Sequence, residues 1–197
     1  MEFAGRDAAR FLGVKGTPDA ETLGRLADAA AEVRAAAEPR ETHRFFPLRA
    51  DPDAGEIAFE GAFRVRSRSL ARNLARSPGA FLFVATLGPG PDRLVRRAQA
   101  VGAMADAALL QAAAAELADS WCDDVCAALA RLPEAAGRAL RPRFSPGYGD
   151  CPLATQRDLF AALDATRRIG VSLTDAFLMV PTKSVSAFVG VADATPR

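Results

Sequence analysis

Phe81-Leu82-Phe83-Val84-Ala85-Thr86-Leu87 is an unbroken apolar run of strand length. A strand with no water-facing alternation is covered on both faces, so this one belongs in the middle of a sheet. Just before it, Ser67 caps a helix through Leu70 and Leu74 to Arg76, which Ser77-Pro78-Gly79 ends. Gly88-Pro89-Gly90 follows at once and reads as a turn. Glycines between a strand and a helix can also cradle phosphate, but neither the dinucleotide-binding nor the P-loop spacing is present.

Toward the N-terminus, His43 to Leu48 is rich in aromatics, and Asp51-Pro52-Asp53-Ala54-Gly55 is turn chemistry. Ile57 to Phe59 and Ala62 to Val65 read as short strands, which predicts an antiparallel hairpin or meander. Residues 5–13 suit a short helix that Gly13 ends. Thr17-Pro18-Asp19 then supplies a cap and a proline at the first position of a helix reaching about Glu38. Leu23, Leu26, Ala30, Val33 and Ala37 recur on its core-facing side.

Toward the C-terminus, Asp92 to Leu132 is either two helices or one broken near Gly102, and Pro133 to Arg141 is a short helix or loop. Thr155 to Arg168 is an amphipathic helix with Leu159, Phe160 and Leu163 inward and Gly170 as its stop. Ala176 to Pro181 is apolar. Ser184 to Val191 closes the chain as a strand with Val185, Ala187, Val189 and Val191 on one face. Together these predict an α+β single domain over 1–197: a mixed or antiparallel twisted sheet with packed helices, residues 1–40 forming a helical arm and 41–197 the core.

A chain of 197 residues with formal net charge +1 has no basic excess to suggest nucleic-acid binding. Lys15 and Lys183 are its only lysines. No apolar run is long enough for a membrane span, and the opening Met1-Glu2-Phe3-Ala4-Gly5-Arg6 is not a signal peptide, so the expected location is cytoplasmic. Cys122 and Cys126 share a helix face and either hold a metal or pack; packing is expected, because no histidine stands near to complete a tetrahedral site. His43, the single histidine, is expected to be a partly buried sheet residue.

The binding chemistry concentrates in Arg143-Phe144-Ser145-Pro146-Gly147-Tyr148-Gly149-Asp150, the start of a loop over 143–152. Pro146 biases Ser145 toward extended backbone, so Arg143 and Ser145 should point the same way. Gly147 can turn there and admit a close neighbour. Arg143 offers a planar fork of donors for a carboxylate or phosphate, and Tyr148 an aromatic face with a polar tip. The same residues also make an ordinary inter-helix turn with a solvated arginine. Glu116 sits among Ala112 to Ala115 and Leu117, where an unpaired carboxylate is costly if buried. It either faces water or reaches a ligand hydroxyl, amine or cation. Lys183, at the entry to the last strand, is solvated or meets an anion.

Read in order, Arg143 to Leu153, Gln156, Ile169-Gly170-Val171, Leu173-Thr174, Pro181 and Ser184-Val185-Ser186 resemble the activation domain of cobalamin-dependent methionine synthase, and more narrowly its free-standing versions. The resemblance is specific over 143–190 and weak before 105. It implies that Arg143, Ser145, Gly147 and Tyr148 line a pocket for S-adenosylmethionine, Ser145 and Gly147 mainly through backbone. It places Glu116 where a family glutamate contacts the same cofactor, if Trp121 is aligned with the aromatic that follows. A later family tyrosine near the ligand has no counterpart in this sequence.

The implied chemistry is reductive methylation. A reduced flavodoxin-like donor supplies one electron to cob(II)alamin on a partner methionine synthase subunit, and the reduced cobalt takes the methyl of S-adenosylmethionine. Such a protein is a component of a methyltransferase with little turnover alone, acting by positioning. No Ser-His-Asp set is present, and no Asp-x-His-x-x-Gly motif to ligate cobalt, so the cobalamin arrives on the partner. Two other classes stay open: an S-adenosylmethionine-binding or assembly module for another corrinoid protein, and a scaffold in which Arg143 and Glu116 are surface charges.

Overall fold

A computed structural model describes residues 1–193. The chain folds as α1 (Arg6–Phe11), α2 (Ala20–Ala36), β1 (Arg40–Asp51), β2 (Glu56–Phe59), β3 (Phe63–Arg66), α3 (Arg68–Asn73), β4 (Gly79–Thr86), α4 (Gly90–Ala100) and α5 (Met104–Leu129). A 3-10 turn (Pro133–Ala135) leads to β5 (Arg138–Leu140), α6 (Thr155–Leu163), α7 (Ala165–Ile169), β6 (Ser172–Leu173), β7 (Met179–Val180) and β8 (Ser184–Asp193). This is α+β, as the sequence predicts.

One six-stranded sheet has the order β3-β2-β1-β4-β8-β5, and β6 and β7 form a separate ribbon. Each pairing within the large sheet is antiparallel, so of the two expected arrangements it takes the antiparallel one. The apolar run is β4, paired with β1 on one side and β8 on the other. Its alternate side chains serve two cores, because a pleated strand covered on both faces must fill both. Ala80, Leu82 and Val84 pack under α3, α6 and α7 with Leu70, Leu74, Leu159, Leu163 and Ile169. Phe81, Phe83 and Ala85 meet Cys122, Val125 and Leu129 of α5. A third cluster lies among helices: Ala8 and Ala9 of α1, Leu26 and Val33 of α2, and Leu109, Ala113 and Leu117 of α5.

Several boundaries move for local reasons. α2 starts at Ala20, because Asp19, not Thr17, is the cap: its carboxylate accepts from Thr22 N at 2.6 Å. Pro133 to Arg141 holds a strand, β5, which pairs with the far end of β8. The helix expected over 155–168 is two, α6 and α7, broken where Asp164 adopts φ 51°. His43 lies half-buried in β1, its Nδ1 2.9 Å from Glu41 Oε2 and its ring edge-on to Phe81.

Candidate functional site

The site begins where the chain leaves β5. Arg141 N donates to the Gly190 carbonyl at 2.7 Å, and Phe144 and Phe188 exchange backbone hydrogen bonds of 3.0 and 2.8 Å, so the edge strand continues extended to Phe144. Phe144 and Phe188 both serve the core under α3 and α6. By the pleat, Arg143 and Ser145 then take the opposite face, that of Val185, Ala187 and Val189 beneath α5. Pro146 is buried and ends the strand, and Gly147 turns with φ 91°. Gly147 N donates to the Cys151 carbonyl at 3.0 Å, and Cys151 N to the Tyr148 carbonyl at 3.0 Å. A Cβ on Gly147 would sit 3.2 Å from Leu153 Cδ1 in a conformation L-residues avoid.

Asp150 fastens this loop to α3. Its carboxylate accepts from Ser67 Oγ at 2.6 Å, Arg68 N at 2.8 Å and Ser69 N at 3.0 Å. Those hydrogen bonds, the Ser67 hydroxyl first, hold its pKa well below the ordinary carboxylate value. α3 therefore has two capping groups, Ser67 Oγ toward Leu70 N at 3.1 Å and the loop carboxylate.

The loop borders an open cleft of about 430 Å³, within the range of small-ligand sites. Ser145, Pro146 and Tyr148 form one wall; Leu153 and Gln156 a second; Phe177 to Met179, Thr182 and Ser184 to Ser186 the rest. Tyr148 stands at the mouth, 68% exposed. The floor is a closed polar set: buried Gln156 donates through Nε2 to the Phe177 carbonyl at 2.7 Å and accepts from Ser186 Oγ at 2.9 Å. The entry to β8 is pinned by Asp92 of α4, which accepts from Thr182 N at 2.8 Å and Thr182 Oγ1 at 2.6 Å. Lys183 beside it is buried, and burial lowers its pKa against the opposing pull of Asp92.

Ser145 and Tyr148 thus share one cleft, with Gly147 in the turn between them, whereas Arg143 does not line that cleft. Its guanidinium, 23% exposed, crosses to α5, where Nη2 lies 2.9 Å from Asp119 Oδ1 and 3.0 Å from Asp123 Oδ1. Cys122 lies beside it, its thiol pushed up to about 12 by burial against the opposite pull of Arg143, and so is neutral at physiological pH. Among the described residues, no group of three His, Cys, Asp or Glu side chains is placed to hold a metal ion.

Glu116 belongs to another cleft, of about 370 Å³, with Asp7, Arg10, Phe11 and Asp119. Its buried carboxylate accepts from Ala4 N (2.7 Å), Gly5 N (2.8 Å) and Ala8 N (2.7 Å), tying α1 to α5. The free amide groups at the start of α1, where Gly5 offers no side-chain cap, are the partners the sequence did not reveal. The contribution of Gln156 and Ser186 was also not foreseen. Their signal was a polar side chain in the buried first turn of α6 and a serine facing inward on β8.

An antiparallel sheet covered on both faces, with an open polar-floored cleft built on loops at one edge, defines an α+β domain with a candidate ligand site. The profile described as "Vitamin B12 dependent methionine synthase, activation domain" matches residues 82–195, more than half of the chain, and the chain belongs to that family. In three dimensions it resembles the crystal structure of the MetH reactivation domain bound to AdoHcy, with TM-score 0.72 and 16% identity over 95% of this chain and 73% of that one. No curated protein matches the chain in sequence. Among the described residues, no helix is long and apolar enough to cross a membrane.

Proposed function

We propose that the cleft beside the 143–150 loop binds S-adenosylmethionine and presents its methyl group for reductive methylation of a cobalamin held by a partner methionine synthase subunit, with a reduced flavodoxin-like protein as electron donor. The observation that carries this reading is the convergence of Ser145, Tyr148 and the Ser184-Val185-Ser186 strand on one open cleft in a chain of the activation-domain family. The AdoHcy bound by the structurally similar reactivation domain supports it.

The donor set suits such a ligand. Tyr148 offers an aromatic face for the nucleoside or the sulfonium chain, and Phe177, Met179 and Leu153 an apolar wall. Ser145 brings a hydroxyl to the cleft wall, and Arg143, held outside the cleft by Asp119 and Asp123, is the nearby cation for the amino-acid carboxylate once it is released. Glu116 is assigned a supporting part: it fixes α1 beside Asp119, which in turn contacts Arg143. The cobalamin, when reduced on the partner, supplies the nucleophile. This chain's residues hold the donor methyl at attack distance and keep the cleft mouth apolar, with Leu178 exposed at its rim.

Calorimetry with S-adenosylmethionine tests the binding, and rescue of an oxidised partner enzyme with reductant tests the activity. The expected result is saturable binding that Tyr148→Ala weakens roughly tenfold, the worth of one aromatic contact. Absence of binding to the intact protein would overturn the reading.

A further inference from the structure

We propose that Asp119 and Asp123 are an internal carboxylate clamp on Arg143 that a ligand carboxylate must displace, so that this pair sets the affinity for amino-acid-bearing ligands. The inference rests on the reading of Arg143 given above and deepens it.

A guanidinium presents two faces for two-point contact with a carboxylate, Nε with Nη2 and Nη1 with Nη2. Both faces use Nη2. In this structure Nη2 donates to Asp119 Oδ1 at 2.9 Å and to Asp123 Oδ1 at 3.0 Å, and Nη1 lies 3.5 Å from the Asp119 carbonyl. Neither face is therefore open. An arriving carboxylate gains its fork only when one aspartate leaves Nη2.

The construction suits release. Asp119 and Asp123 stand one helical turn apart on α5, so the helix holds them astride the guanidinium. Their side chains are 65% and 70% exposed, and water receives either carboxylate when it lets go. Such exposed pairs are individually weak, which keeps the clamp reversible. The displaced aspartate stays close and repels the bound carboxylate, adding to the opposition. Cys122 beneath is neutral and does not compete for the cation.

The test measures calorimetric affinities of the intact protein, the D119N/D123N variant and Arg143→Ala for S-adenosylmethionine and for its decarboxylated form. Because both aspartates are exposed, neutralising them leaves the fold standing, which an unchanged melting curve checks. The clamp predicts that D119N/D123N binds S-adenosylmethionine about fivefold more tightly, two weak pairs having been removed. It also predicts unchanged affinity for the decarboxylated ligand, a difference that a purely structural role of the aspartates does not produce. Equal or weaker binding of S-adenosylmethionine by the variant, with the intact protein still binding, overturns the clamp and leaves the cleft reading in place. Equal gains for both ligands, or no effect of Arg143→Ala, overturns it as well. No binding by any of the proteins overturns both.

Discussion

A buried carboxylate in an alanine-rich helix needs partners, and Glu116 finds them in the backbone of α1. Truncation to alanine leaves those amides without acceptors, and nothing in Gly5 replaces the lost cap. Glu116→Ala is expected to cost roughly 2–4 kcal/mol, the range for breaking a buried charge-assisted set, and to raise hydrogen exchange selectively over residues 4–12. Unchanged exchange there would show that α1 is held by packing alone. Lys183 is the opposite case. Burial lowers its pKa from 10.5, and the nearby Asp92 already accepts from Thr182. Just below pH 10.5 the folded chain has released a proton that the unfolded chain keeps. Stability therefore rises with pH through that window, is full above 10.5, and is lost as pH falls through the lowered folded value. Lys183→Met should remove this alkaline rise and lift Tm at pH 7 by about 2–4 °C, the equivalent of ~1 kcal/mol for a chain of this size. A variant whose melting temperature tracks the parent's at pH 7 and pH 10 would sink this account.

The helical layer depends on a close approach at the start of α4. A Cβ on Gly90 would lie 1.8 Å from the Ala36 carbonyl oxygen, at the end of α2. Alanine is the better helix former by about 1 kcal/mol, but overpacking against backbone costs about 1–3 kcal/mol or more, so the clash prevails. Gly90→Ala is expected to lower stability by roughly 2 kcal/mol in denaturant titration; a gain would mean that α2 and α4 slide apart freely. In the sequence this glycine belongs to a turn, and turn chemistry does not show what lies across from it. The same limit accounts for the other differences. β4 and β8 were legible because continuous or alternating apolar residues state their own burial. β5 was not, because Arg138 and Ala139 are exposed and the strand exists only through its pairing with Asp193 and Ala192. The break at Asp164 was hidden inside an amphipathic pattern that α6 and α7 both continue. In the loop, the bend at Gly147 follows from local rules. That Arg143 meets Asp119 and Asp123 is tertiary, and no spacing within the loop encodes it.

α5 joins what the sequence divides into arm and core. It has 26 residues, about 39 Å of helix, and its two halves serve different clusters. Leu109, Ala113 and Leu117 pack against α1 and α2, while Cys122, Val125 and Leu129 pack on the sheet. A helix shared in this way couples the two clusters, because helix formation is cooperative along its length and each half is held by packing that the other half extends. The protein is therefore expected to unfold in a single calorimetric transition, with van't Hoff and calorimetric enthalpies equal. Deleting residues 1–36 removes Leu26, Ala30 and Val33 from the helical cluster and uncovers the face of α5 opposite them. That apolar face belongs to the element whose middle meets the loop at Arg143, through Asp119 and Asp123, and on which the sheet beside the cleft is packed. The shortened chain should then aggregate or melt well below the parent and lose S-adenosylmethionine binding, although no residue of the cleft has been touched. A soluble fragment 37–197 that melts with the parent and binds the ligand equally would show instead that the first helices are an appendage and that α5 is stable on the sheet alone.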